Sequence, residues 1–312
     1  MKAGLLQMYP LTPQMEAELQ KRFRVHRWYE ISDKQAFLQA ERGAIKAIVT
    51  GGHLGVSHEL AAALPNLEIV AINGVGFDKV DLHQARARGF RVTNTPDVLT
   101  EDVADLAIGL SIAVLRQLVR ADNYVRSGQW KSGEMPLSNK ASRRRYGIYG
   151  LGRIGKAIAI RLEAFNADIA YCGRGKQPDV AYEYHSSPLS LARACDVLIV
   201  AAAATPETRH VIDRGVLEAL GTNGVLVNIS RGSLVDEKAL VDVLTSGGLR
   251  GAALDVFENE PHVPQELIGM QNVVLAPHIG AATHETRGEM ATLVLANLDA
   301  HFAGTELPTP VV

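Results

Sequence analysis

The residues with the most specific chemical implication are Gly150-Leu151-Gly152-Arg153-Ile154-Gly155. They follow an apolar run at 146–150 and open a stretch with helical periodicity. In that setting the first glycine allows a tight turn, the second lets backbone approach a pyrophosphate, and the third lets helix and strand pack closely. The N–H groups of the new helix turn then stabilise the phosphate charge. Glycine spacing alone is a weak signal, and the flanking strand and helix make it a strong one. These six residues are expected to bind a dinucleotide.

The following apolar run, 169–172, leads into Gly173-Arg174-Gly175-Lys176. An NAD site places an acid about 20 residues past the glycines, to accept from the ribose 2′-hydroxyl. No acid stands there, and Arg174 and Lys176 suit the 2′-phosphate of NADP, so NADPH is expected to be preferred over NADH. A solvated basic turn is the other reading of the same residues. Thr205 and Ile229, at the ends of the next two runs, are further expected cofactor contacts, because open α/β sheets bind ligands at the carboxyl ends of their strands.

Arg231, Glu260 and His278 also follow apolar runs and should converge at that edge. An arginine, a carboxylate and a histidine beside a nicotinamide are what reduction of a 2-keto acid requires. Arginine holds the substrate carboxylate and polarises the ketone, histidine donates a proton as hydride arrives, and the carboxylate orients the histidine. Taken singly, each has an ordinary alternative: a turn arginine, a solvated acid, a polar residue near a helix. The remaining histidines, among them His53, His58 and His210, lack partners at metal-ligand spacing, so no metal is expected.

The elements that must position these residues are legible as runs at 146–150, 169–172, 197–201, 224–229, 252–256 and 273–276, mostly alternating with helical stretches. Such alternation implies a parallel sheet covered on both faces, here a six-stranded doubly wound domain. Runs at 2–8, 45–50, 67–72 and 90–93 indicate a second, smaller α/β domain. Between them, apolar spacing from Val103 to Leu118 predicts one long amphipathic helix over 100–126, with Glu101 and Asp102 favouring its N-terminus. A last helix should start at an N-cap on Thr283 and stop at Gly304.

At 312 residues the chain is long enough for two cores. Its 32 basic and 34 acidic residues leave no positive field to hold nucleic acid or an anionic membrane. The apolar runs are far shorter than the ~20 residues of a membrane span, and no signal-peptide pattern occurs. Two cysteines in such a length fit a reduced compartment, with the cytoplasm as the expected location.

The sequence resembles the D-isomer-specific 2-hydroxyacid dehydrogenases from about Leu64 to Arg287. The resemblance lies in the segments Asn73–Asp78, Asn94–Asp105, the glycine motif, Asn228–Glu237, Leu254–Pro261 and Ala276–Gly280. It implies two Rossmann/flavodoxin-like α/β domains, with an NAD(P)-binding domain (99–281) inserted into a discontinuous substrate-binding domain (1–98 and 282–312). It implies catalytic roles for Arg231, Glu260 and His278, a nicotinamide-amide contact at Asp255, and a grip on the substrate carboxylate by the backbone of Val75 and Gly76. It also implies a homodimer built on the nucleotide domains. Within the family the chain is most similar to glyoxylate/hydroxypyruvate reductases, which reduce small 2-keto acids to D-2-hydroxy acids. Hydroxyphenylpyruvate reductases, acting on bulkier keto acids, are the alternative. A reading of another class is a dinucleotide-sensing corepressor, which the lack of extra tails disfavours.

Overall fold

Largely apolar runs, rather than alternating ones, form the inner strands of both sheets of the computed structural model, which describes residues 2–312. Parallel strands covered on two faces bury both sets of side chains, so nothing along them needs to be polar. The chain divides into two units, Met1–Leu99 with Ala282–Val312, and Thr100–Ala281.

The first unit contains β1 (Gly4–Gln7), β2 (Arg24–Arg27), β3 (Ile45–Gly51), β4 (Ile69–Asn73) and β5 (Arg91–Thr93). They pair in the order β2-β1-β3-β4-β5, all parallel. Helix His284–Ala303 belongs to the same unit. Its N-cap Thr283 accepts from the Thr286 N–H at 3.2 Å, and it ends at Gly304 with φ 70°. Both ends lie where the sequence puts them.

The second unit contains β6 (Arg145–Tyr149), β7 (Asp168–Cys172), β8 (Glu183–His185), β9 (Val197–Val200), β10 (Val225–Asn228), β11 (Gly251–Leu254) and β12 (Val273–Leu275). The order is β12-β11-β10-β9-β6-β7-β8, again parallel throughout. Register aligns the carboxyl ends: Leu275 pairs with Leu254, Leu254 with Asn228, Asn228 with Val200, Val200 with Tyr149, and Tyr149 with Cys172. Each residue just past these ends therefore reaches the same edge of the sheet. Chain order reverses at β6, between β9 and β7, which is the topological switch point at which such sheets bind ligands.

Three expectations need correction. The second sheet has seven strands rather than six, and the first has five rather than four. The missed strands, β8 (Glu-Tyr-His) and β2 (Arg-Val-His-Arg), lie at sheet edges, where one side faces solvent and an apolar run is not required. The helix over 100–126 is two helices, Thr100–Leu115 and Leu118–Arg126. Gln117 between them is left-handed, with φ 52°. The apolar face of the first helix is buried, whereas Leu118, Val119 and Val125 of the second are exposed, so one helix axis does not serve both segments. Among the described residues, no helix is long and apolar enough to cross a membrane.

Candidate active site

The glycine loop joins β6 to helix Arg153–Glu163. Gly150 has φ 101°, and a Cβ there would lie 2.5 Å from the Ala202 backbone. A Cβ on Gly155 would lie 2.1 Å from the Gly150 carbonyl oxygen. Gly152 differs: a Cβ there would meet nothing within 4 Å, and as helix N-cap it provides no side-chain hydrogen bond. Two glycines are thus needed for packing, while the third faces open space at an uncapped helix start. That arrangement fits the pyrophosphate of a dinucleotide.

The basic loop after β7 is fastened to the glycine loop. Gly150 N–H donates to the Cys172 carbonyl at 2.8 Å, and the Gln177 side chain donates to the Leu151 carbonyl at 2.7 Å. Gln177 N–H also donates to the Tyr171 hydroxyl at 2.7 Å. Arg174 and Lys176 are exposed on this loop, and Gly173 has open space where a Cβ would point. No sequence signal singled out Gln177, because its role depends on the loop folding back. Thr205 caps the short turn Pro206–Thr208 after β9, and Ile229 is buried just past β10.

Past β10, Asn228 organises the turn. Its side chain donates to the Arg231 carbonyl at 3.0 Å and accepts from Ser230 N–H at 3.1 Å, and the Ser230 hydroxyl donates to the Ala202 carbonyl. The Arg231 guanidinium donates to the Ser230 carbonyl at 2.8 Å, which folds the side chain back over the turn. Gly232 is held against the next loop so closely that a Cβ would lie 1.9 Å from the Phe257 carbonyl carbon.

That next loop carries Glu260. One carboxylate oxygen accepts from Phe257 N–H at 3.1 Å, and the other lies 2.8 Å from Nδ1 of His278. An ionised carboxylate only accepts, so Nδ1 carries the proton in this pair and Nε2 is the nitrogen left for chemistry. His278, just past β12, is itself left-handed with φ 55°, a conformation costly for a side chain with a Cβ.

Asp255 holds His278 in that conformation. Its carbonyl accepts from His278 N–H at 2.8 Å, and its two carboxylate oxygens accept from Ile279 N–H at 2.7 Å and Gly280 N–H at 2.9 Å. The residue is 1% exposed, and burial pushes its carboxyl above the ordinary value even though both amides pull it down. The sequence suggested only a cofactor contact for Asp255. An acid directly after a strand, facing a loop that opens Pro-His-Ile-Gly, is the signal for this clamp. A neighbouring contact was also missed: His210 Nε2 lies 2.9 Å from Glu258 Oε1, two residues before Glu260.

In the first unit, Val75 and Gly76 follow β4. The Asn94 side chain donates to the Val75 carbonyl at 2.8 Å, and Thr95 N–H donates to the Gly74 carbonyl at 2.9 Å. Among the described residues, neither the Val75 nor the Gly76 N–H has a backbone acceptor.

Residues 108–280 match the family model described as "D-isomer specific 2-hydroxyacid dehydrogenase, NAD binding domain". Over 309 residues and 99% of both chains, the protein is 54% identical to glyoxylate/hydroxypyruvate reductase A of Arabidopsis thaliana. It is 52% identical, over the same share of both, to hydroxyphenylpyruvate reductase of Plectranthus scutellarioides. An NADPH-dependent glyoxylate/hydroxypyruvate reductase from Sinorhizobium meliloti, solved with NADP and malonate, superposes with TM-score 0.94 at 44% identity. That match covers 100% of this chain and 97% of the other. Full-length identity at this level, on a fold whose strand ends carry the expected groups, places the chain in the D-isomer-specific 2-hydroxyacid dehydrogenase family as a nicotinamide-dependent oxidoreductase.

Proposed function

We propose that the protein reduces small 2-keto acids, glyoxylate and hydroxypyruvate above all, to D-2-hydroxy acids with NADPH. The observation that carries this is the Glu260–His278 pair, held one strand from Arg231 at the carboxyl edge of the sheet whose switch point carries the glycine loop. The bound nicotinamide supplies the hydride. His278 donates the proton from Nε2 to the carbonyl oxygen, and Glu260 orients the imidazole through Nδ1. Arg231 pairs with the substrate carboxylate and draws charge from the ketone, and within the first unit the Val75 and Gly76 N–H groups are carboxylate donors. Asp255 fixes the backbone that carries His278 and approaches the nicotinamide amide.

Gly150, Leu151, Gly152, Arg153, Ile154 and Gly155 hold the pyrophosphate, Thr205 and Ile229 contact the cofactor, and Gly173 to Lys176 receive the 2′-phosphate. The Sinorhizobium relative is NADPH-dependent and was solved with NADP, which supports this cofactor choice. The exposed apolar residues Leu118, Val119, Val125 and Trp130 support a homodimer built through this segment. The nucleotide unit then comprises 99–281 and the substrate unit 1–98 with 282–312. Both cysteines are unpaired and buried, which suits a reducing compartment such as the cytoplasm.

The test is NADPH oxidation with glyoxylate, hydroxypyruvate, pyruvate and hydroxyphenylpyruvate, compared by kcat/KM. The proposal expects the first two to lead. A clear preference for hydroxyphenylpyruvate would move the assignment to the bulkier substrate, as the 52%-identical relative's name suggests.

A further inference from the structure

A second polar cluster lies entirely within the first unit, at the carboxyl ends of β1, β3 and β4, and the roles assigned above do not use it. Tyr9, two residues past β1, accepts from the Asn73 side chain at 2.9 Å. The positive charge of Arg287, near the start of helix His284–Ala303, acts on the same phenol and favours its ionised form. His53, past β3, stands edge-on to the Tyr9 ring, with centroids 5.5 Å apart. It folds back so tightly that a Cβ on Gly51 would lie 2.7 Å from its ring. The His53 loop also abuts the carboxylate-binding turn: a Cβ on Gly74 would lie 3.3 Å from Gly52 N.

Asn73 is 7% exposed, and its Oδ1 has no hydrogen-bond partner. Unpaired acceptors of this kind are expensive in a folded interior, so an arrangement that keeps one beside half-buried Tyr9, His53 and Arg287 is built for something besides packing. Because the phenol oxygen already accepts from Asn73, its own proton is left to be donated. Burial pushes the phenol above its ordinary value, so that proton stays in place at neutral pH. The cluster therefore offers a hydroxyl donor and a guanidinium beside Val75 and Gly76.

We infer that Tyr9, His53 and Arg287 form the wall that reads the C3 substituent of the keto acid, favouring a hydrogen-bond-accepting group there over a methyl group. The inference rests on the reading of the chain as a 2-keto acid reductase whose substrate carboxylate is held at Val75 and Gly76. With the carboxylate fixed there, C3 is the nearest part of the substrate that can differ between keto acids. A site built to hydrogen-bond a hydroxyl rejects the analogue lacking it more strongly than an apolar pocket rejects an extra group.

The experiment compares kcat/KM for hydroxypyruvate and pyruvate, which differ only in the C3 hydroxyl, at saturating NADPH in the parent, Tyr9→Phe and Arg287→Gln. The parent should favour hydroxypyruvate at least about tenfold, and each variant should lower that ratio by about 5- to 10-fold, chiefly through hydroxypyruvate. Tyr9→Phe keeps the ring against His53, so it decides the matter if Arg287→Gln does not fold. A parent that treats the two substrates alike, or a Tyr9→Phe enzyme that loses both equally, overturns the inference and leaves the reductase reading standing. Absence of turnover with every keto acid, glyoxylate included, overturns both.

Discussion

Nδ1 of His278 lies 2.8 Å from Oε2 of Glu260, a residue 18 positions earlier in the chain and on the loop of the adjacent strand. Neither partner reaches this geometry alone. Glu260 is set by the Phe257 N–H, and His278 is set by the Asp255 clamp, which holds three successive N–H groups around a left-handed residue. The pair is therefore oriented by the protein's own hydrogen bonds, the preorganisation that the proposed proton transfer calls for.

Arg231→Lys should be severely impaired although its charge is retained. A planar fork meets a carboxylate with two parallel hydrogen bonds, whereas an ammonium meets it as a point charge. KM for hydroxypyruvate should rise and kcat should fall, with kcat/KM down by about 10- to 100-fold if one charge-assisted hydrogen bond is lost. Near-wild-type kinetics in steady-state assays would reduce Arg231 to a turn residue.

The double variant Gly173→Asp/Arg174→Ala should reverse cofactor preference. The added carboxylate accepts from a 2′-hydroxyl and repels a 2′-phosphate, and a guanidinium partner is removed. A single arginine–phosphate contact is worth roughly 1.5–3 kcal/mol, or about 10- to 150-fold in affinity. The measurement is kcat/KM for NADPH and NADH at fixed saturating keto acid. A parent that favours NADH would make the basic loop a solvated turn.

Gly152→Ala and Gly155→Ala should separate binding from packing within one loop. The new methyl at 152 has nothing within 4 Å, so thermal stability should be unchanged while NADPH Kd rises. At 155 the methyl would lie 2.1 Å from a carbonyl oxygen, so the variant should lose about 1–3 kcal/mol of stability or fail to fold. Differential scanning fluorimetry with and without NADPH reads both effects, and equal stability loss in the two variants would contradict the open space at Gly152.

Legibility in the sequence followed from how completely each element is buried. Central strands such as β9, wholly apolar, and β10, apolar up to Asn228, are readable, whereas edge strands β2 and β8 mix polar residues and were missed. The break at Gln117 escaped notice because apolar residues continue at Leu118 and Val119, although these turn to solvent. Arg231, Glu260 and His278 stand out in the sequence because strand ends collect ligands, and the structure brings Glu260 and His278 together. Asp255 as a clamp, Gln177 as a loop fastener and the Tyr9–Asn73–Arg287 cluster depend on backbone amides or on residues far apart in the chain, and no local spacing encodes those.

The central claim is that His278 is the proton donor, and His278→Gln tests it most directly. NADPH binding, followed by fluorescence titration, should be nearly unchanged, because the imidazole acts on the substrate carbonyl oxygen and not on the dinucleotide. General acid catalysis supplies ~10²- to 10⁴-fold, so kcat with hydroxypyruvate should fall by at least about a hundredfold. A variant that binds NADPH and retains more than about a tenth of the parent kcat would contradict the assignment.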